Sequence, residues 1–311
     1  MPLRRKLTGA RLTCSPYRVA GVLAVISLAL VSGWYLSERR ARAPAKGEPE
    51  DLPLTRDDAP PEVAAQTGRA DEPVAERPDA TGTCPEGMIE VEGDYSAVVA
   101  HVCQERLDGP VERCAEYATQ VLLEGKVEHK HFCVDRFEYP NLEGVRPVVM
   151  VSWVEAQAAC RTEGKRLCTA SEWTLACEGR ERLPYPYGYR RDDTACNIDR
   201  PHPTPDERAL DRPRDVSSEV ARLDQRVSSG EMRRCTSPFG VQDMTGNVDE
   251  WVLNEQHFGP AKADGSERPF ISALKGGYWG PVRNRCRATT TAHNESFRYY
   301  QVGFRCCADA P

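Results

Sequence analysis

Aromatic side chains make up only 7% of this 311-residue chain, and residues 37–83 contain none at all. That stretch holds seven prolines, nine alanines and eighteen charged side chains. With so little to bury it cannot recover the entropy of ordering, so a folded domain there is excluded and a disordered tether is expected. Acidic residues are missing from residues 1–36, which carry five basic groups. Beyond them the sign reverses: residues 37–83 sum to −4 and the remaining 228 to −7, within a net charge of −6. The basic excess is confined to the N-terminus, which argues against a nucleic-acid-binding surface. No fixed-period repeat occurs, so a solenoid or propeller is not expected. Cysteine is rare before residue 84, where Cys14 stands alone; the other twelve follow it. An even set at that density predicts an oxidised, exported domain with up to six disulfides.

Charge disappears altogether over residues 19–36, a run of 18 residues that follows Arg4, Arg5, Lys6, Arg11 and Arg18. At 1.5 Å per residue it just spans a hydrocarbon layer. Ser37, Glu38, Arg39 and Arg40 separate it from the small-residue candidate Ala41-Arg42-Ala43, which favours an uncleaved anchor over a signal peptide. The expected organisation is a basic cytoplasmic segment (1–18), a transmembrane anchor (19–36), a Pro/Ala/charged linker (37–83) and a folded domain (84–311). The arginines after the apolar run blur the charge asymmetry, so the cysteines set the topology: the even set outside, Cys14 inside. The location is then a bacterial cell membrane, single-pass, with the C-terminal domain outside; secretion after cleavage is the alternative. The linker as a flexible coil averages roughly 40 Å end to end.

From Cys84 onward the pattern is that of a loop-rich α+β domain. Gly87-Met88-Ile89-Glu90-Val91 and Phe132-Cys133-Val134-Asp135-Arg136-Phe137 read as strands. Residues 153–163 read as a helix, opened by a Ser152/Glu155 capping box, with Trp153, Ala156, Ala159 and Cys160 on one face and Gly164 as its stop. Thr169 and Glu172 open a second helix in the same way, with Trp173, Ala176 and Cys177 inward and Gly179 at its end. Residues 199–234 read as a polar surface excursion with a short helix near 219–227.

Seven stretches in order then carry a resemblance: the strand beginning Gly87-Met88-Ile89-Glu90-Val91; residues 147–153; Gly164-Lys165-Arg166-Leu167-Cys168 running on to Trp173; Tyr185-Pro186-Tyr187-Gly188; Gly240-Val241-Gln242-Asp243-Met244-Thr245-Gly246-Asn247-Val248-Asp249-Glu250-Trp251; Lys275-Gly276-Gly277; and Gly303-Phe304-Arg305. Residues 84–311 resemble the formylglycine-generating enzyme (sulfatase-modifying factor) family. The resemblance implies a fold related to C-type-lectin-type folds. Its founding activity oxidises a sulfatase cysteine to formylglycine with oxygen and copper(I) held by two cysteine thiolates, soft ligands suited to that ion. This chain departs there. In Lys275-Gly276-Gly277-Tyr278-Trp279-Gly280-Pro281-Val282-Arg283-Asn284-Arg285-Cys286, Gly280 takes the place of the first copper cysteine, the loop is shorter, nothing matches the second, and Cys286 aligns with a structural cysteine. Copper is therefore not expected.

The resemblance also implies two bridges, Cys160–Cys306 and Cys177–Cys286. It leaves Cys84, Cys103, Cys114, Cys133, Cys168, Cys196, Cys235 and Cys307 as extras, for structural bridging (Cys168–Cys307 is one option) or a thiolate-metal site. It further implies structural calcium on the loop of Asn247, Val248 and Glu250 and at a second place beginning with Asn197 and Ile198, set against a hydrogen-bonded turn with Trp251 packed inward. Among other residues, His129 and His131 alternate as on an exposed strand, with a metal pair as the alternative. Asp135, Glu138, Asp243 and Asp249 offer acid or base groups at no fixed separation. Arg283, Arg285 and Arg287 alternate and offer either an anion-binding surface or a solvated strand face. Asn294-Glu295-Ser296 is a glycosylation sequon, without meaning in the bacterial host that the Ala/Arg/Pro bias suggests. The function expected is a membrane-tethered, non-catalytic binding or scaffold module with a protein or peptide partner. An oxygen-dependent oxidoreductase using other metal ligands is the alternative, with Trp279 and Arg283 beside its groove.

Overall fold

The computed structural model describes residues 84–109, 111–257, 259 and 269–311. The expected anchor and linker lie outside the described residues. Among those described, no helix is long and apolar enough to cross a membrane.

The chain enters through a long antiparallel hairpin, β1 (Met88–Leu107) and β2 (Arg113–Asp135), registered from Met88 opposite Asp135 to Leu107 opposite Arg113. Only the base of this hairpin alternates cleanly between buried and exposed. There Val91, Phe132 and Val134 enter the core. Farther out the ladder is held by cross-strand pairing and the Cys103–Cys114 disulfide, which is why the two short strands read from the sequence grow into strands of 20 and 23 residues.

Helix α1 (Trp153–Thr162) starts at a complete capping box. Ser152 accepts from the Glu155 amide while the Glu155 side chain accepts from the Ser152 amide, and Trp153, Ala156 and Cys160 are buried. The two-residue β3 (Arg166–Leu167) leads into α2 (Ala170–Glu178), boxed by Thr169 and Glu172 and buried along its whole length. Gly179 ends it with φ 68°, where a Cβ would lie 2.5 Å from Pro238. The excursion after residue 199 contains α3 (Glu207–Leu210) and α4 (Val216–Leu223). It is anchored by Leu223, which packs with Val248, Trp279 and Tyr300.

Two four-stranded sheets result. One has the order β1-β2-β8-β3, with β8 (Cys306–Asp309) antiparallel to both neighbours. The other has the order β6-β5-β4-β7, built from β4 (Asp249–Leu253), β5 (Ser272–Lys275), β6 (Thr289–Thr290) and β7 (Val302–Phe304). β4 and β7 run parallel. Trp173 lies in one core cluster with Val91, Phe132 and Val252, and Trp251 in another with Trp153, Leu274 and Phe304.

All twelve described cysteines are paired: Cys84–Cys133, Cys103–Cys114, Cys160–Cys306, Cys168–Cys307, Cys177–Cys286 and Cys196–Cys235. Cys306 and Cys307, adjacent on β8, reach α1 and the segment just before α2. One short strand thereby binds the helical unit covalently to the C-terminus.

Candidate functional site

β5 ends in the Gly276-Gly277 turn, where both residues have positive φ, 88° and 71°. A Cβ on Gly276 would stand 2.8 Å from the Met244 carbonyl oxygen, and one on Gly277 2.8 Å from Asn284 Nδ2, so the turn admits glycine alone. It forms one wall of a cleft of about 230 Å³ whose lining includes Asp249, Tyr278, Arg283, Thr290 and Gln301. At its side Asp249 Oδ1 accepts from the Gly277 amide at 3.3 Å. Desolvation, reinforced by the neighbouring Glu250, pushes the Asp249 carboxyl up to about 7.

Gly280, the position of the first copper cysteine in the resemblance, is buried beneath Tyr278. A Cβ there would stand 2.6 Å from Tyr278 Cε2. That ring is hemmed in by Trp279, Tyr300 and His202. Trp279 is fully buried, and its Nε1 has no hydrogen-bond partner among the described residues. Asn284, which the sequence did not single out, holds the loop closed: its Nδ2 donates to the Tyr278 carbonyl at 2.6 Å and its Oδ1 accepts from Arg191 at 2.7 Å. With every described cysteine in a disulfide, no thiolate pair borders the cleft.

Behind the cleft, Asn247 adopts a left-handed φ of 55° and is saturated. Its Oδ1 accepts from Asn197 Nδ2 at 3.1 Å and the Val227 amide at 3.0 Å, and its Nδ2 donates to Glu138 Oε2 at 2.8 Å. Glu250 takes both prongs of Arg305, at 2.7 and 2.8 Å, and the Trp173 indole at 2.7 Å. Asn197 Oδ1 accepts from Arg200 Nε at 3.0 Å, while Val248 and Ile198 are buried. Calcium needs free oxygens converging on one point. Here the oxygens of Asn247, Glu250 and Asn197 already face N–H donors, two of them guanidinium groups, so this donor set as arranged does not fit the ion. Among the described residues no group of three or more His, Cys, Asp or Glu side chains is placed to hold a metal.

The other acid candidates, Asp135, Glu138 and Asp243, are buried. Asp135 is buried against Lys165 at 2.8 Å and the Cys306 amide at 3.0 Å. Glu138 accepts from the Val248 amide at 3.2 Å. Burial, then the charges of Asp243 and Glu250, hold Glu138 well above the usual carboxylate range, and burial lifts Asp243 to about 6. His129 and His131 sit exposed on β2, bonded to Asp94 at 2.9 Å and Glu90 at 2.6 Å. Asn294 Oδ1 caps a turn by accepting from the Ser296 and Phe297 amides. The three alternating arginines part company. Arg283 borders the cleft, whereas Arg285 and Arg287 line a separate pocket together with Lys275.

The profile of the sulfatase-modifying factor enzyme 1-like domain matches residues 87–310. The chain belongs to this FGE-sulfatase family. Among family relatives it is similar to the inactive C-alpha-formylglycine-generating enzyme 2 of Bos taurus, with 30% identity over 171 residues, 53% of this chain and 50% of that protein. The chain thus spans about half the length of the curated relatives it first matches. Among solved structures it is similar to CarF (16% identity, 73% of this chain and 99% of that one, TM-score 0.43) and to PvdO from Pseudomonas aeruginosa (15%, 73% and 95%, TM-score 0.39). Within the FGE-sulfatase family this domain is one without the copper-binding cysteine pair.

Proposed function

We propose that the chain is a non-catalytic binding or scaffold module of the FGE-sulfatase fold, tethered to a bacterial membrane by residues 19–36 and presented outside the cytoplasm to a protein or peptide partner. One observation carries this reading: the Gly-Gly cleft persists with its glycines, its Asn284 brace and its aromatic backing, but the first metal-binding position is a glycine whose Cβ would collide with Tyr278. A groove kept in shape without its thiolates supports retention for binding rather than chemistry. The word "inactive" in the bovine relative's name is in keeping with it. The tether rests on the uncharged run and the proline- and charge-rich spacer. Calcium has no part in the proposal.

The test uses the full-length chain in detergent with its disulfides intact, supplied with copper(I) or iron(II) and a cysteine-containing sulfatase peptide. Oxygen consumption should not exceed that of free metal, while the peptide or an envelope protein should be retained on the immobilised chain and released by Arg283→Ala or Tyr278→Ala. Turnover above free metal would overturn the proposal in favour of an oxidase with other ligands. N-terminal sequencing of the membrane-extracted protein separates the anchor from cleavage near Ala43.

A further inference from the structure

Alternation along β5 sends Leu274 and Gly276 to the cleft just described and Lys275 to the opposite face. There Lys275 lies in the wall of a second pocket, of about 250 Å³, shared with Tyr95, Arg285, Arg287 and Thr289. Lys275 is only 2% exposed. Its ammonium has one hydrogen bond, to Thr289 Oγ1 at 3.1 Å, and rests 5.3 Å from the centre of the Trp173 ring. Among the described residues no carboxylate is within ion-pair distance of it. The guanidinium of half-buried Arg285 has neither a hydrogen bond nor an ion pair among the described residues.

The surrounding charges are all committed elsewhere. Arg287, stacked over Tyr95, is neutralised by Glu178 through two bonds of 2.6 Å. Glu255 accepts the Ala170 and Ser171 amides at the start of α2, both at 2.9 Å. Glu250, the cross-strand neighbour of Lys275, is held in the fork of Arg305. Lys275 and Arg285 therefore face one small cavity with no carboxylate within ion-pair distance of either among the described residues, an arrangement that an oxyanion satisfies. The rest of the wall is formed by Ala97, Val98, Val99 and Ala170, with Thr174 as its one further polar side chain. A guanidinium fork suits the paired oxygens of a carboxylate, and the volume, below that of a drug-sized site, suits a short aliphatic body.

We propose that this pocket binds a small aliphatic carboxylate, its oxygens taken by Lys275 and Arg285 and its chain laid against Val98, Val99 and Ala170. Burial, then the charges of Arg287 and Arg285, lower the Lys275 amine to about 7 against the opposing pull of Glu178 and Glu255. The empty pocket therefore carries a partly neutral lysine at neutral pH, and anion binding draws in a proton. The inference does not rest on the proposed function, since an active oxidase would leave it standing.

The experiment titrates the full-length chain with sodium butyrate at fixed ionic strength and at pH 6 and pH 8, by calorimetry, with inorganic phosphate and sulfate as separate arms. Butyrate should bind saturably and several-fold more tightly at pH 6. It should bind tenfold or more weakly to Arg285→Ala and to Lys275→Met, whose neutral side chain of similar length keeps the buried volume filled, and with unchanged affinity to Arg283→Ala. Arg285→Ala removes no side-chain hydrogen bond or ion pair and keeps the bond from the Ala288 amide to the Arg285 carbonyl, so that variant decides even if Lys275→Met fails to fold. No saturable butyrate binding, equal binding to Arg285→Ala and the parent chain, or tighter binding of phosphate or sulfate would each overturn the proposal.

Discussion

Glu250 on β4 and Arg305, between β7 and β8, face each other fully buried, joined by two parallel bonds of 2.7 and 2.8 Å. The remaining Arg305 donors reach the carbonyls of Asp135, Arg136 and Gln242. This pair fastens the Gly-Phe-Arg motif to the Asn247-to-Trp251 motif. Removing one partner strands the other without a counter-ion, so Glu250→Gln should lower stability by about 3–5 kcal/mol. The new amide would also meet the Trp173 N–H, which donates to Glu250. Denaturant unfolding of the variant beside the parent checks the size.

How much of this was legible in the sequence depends on whether the signal was local. The capping boxes at Ser152/Glu155 and Thr169/Glu172 involve residues three apart, and the structure has both helices starting there. The long hairpin was not legible beyond its base, because residues such as Val98, Leu122 and Val127 are exposed, so apolar character does not track burial along it. Likewise the short helix expected near residues 219–227 lies at Val216–Leu223, displaced toward the N-terminus and ending at the buried Leu223. At the site, the missing copper cysteine is visible as Gly280. The Tyr278 ring packed over it exists only in three dimensions. Lys275 reads as a motif residue, but its lack of an ion-pair partner among the described residues depends on where Glu178 and Glu255 are engaged.

The contribution of Asp249 and Asp243 to stability should fall as the pH rises through the acid-to-neutral range. The Asp249 carboxyl, pushed up to about 7, and that of Asp243, at about 6, both lie above their ordinary value of 3.8. At these two groups the folded chain therefore holds more protons than the unfolded one between those limits. Their contribution is complete below the ordinary value and is lost as pH climbs through the folded values. Asp249→Asn keeps the acceptor for the Gly277 amide and removes the titration. Its melting temperature should match that of the parent near pH 4 and exceed it at pH 8; a constant difference across that range would refute the account.

The disulfides should differ in weight according to the chain they close. Cys160–Cys306 spans 146 residues and Cys103–Cys114 only 11. Loop-closure entropy assigns about 5 kcal/mol to the first and about 3 to the second. The paired serine substitutions, Cys160→Ser with Cys306→Ser and Cys103→Ser with Cys114→Ser, should therefore lower unfolding free energies by amounts about 2 kcal/mol apart. Equal losses measured in denaturant would point to strain or residual structure as the dominant effect.

Chelation should leave the fold untouched. With Asn247 Oδ1 and both Glu250 oxygens engaged by protein donors, calcium would have to displace Arg305 before binding there. Thermal unfolding in excess EGTA, at matched ionic strength, should coincide with unfolding in millimolar calcium. A fall in melting temperature on chelation would show that the loop rearranges around an ion after all.

Restoring one cysteine should not restore a copper centre. Copper(I) in a two-thiolate site needs both sulfurs, and the other described cysteines are committed to disulfides. The substituted position is itself closed, because the Gly280 Cβ would stand 2.6 Å from Tyr278 Cε2, a ring braced against Trp279, Tyr300 and His202. Gly280→Cys and Gly280→Ala should therefore be destabilised alike, since the strain comes from the Cβ and not from the sulfur. Only the cysteine variant should react with a thiol reagent beyond the parent chain, and its copper(I) affinity should be that of a lone thiol. A stoichiometric, tightly held copper ion in Gly280→Cys would mean that a second sulfur is released from one of the six bridges, with Cys177–Cys286 at the end of the same loop as the first to examine.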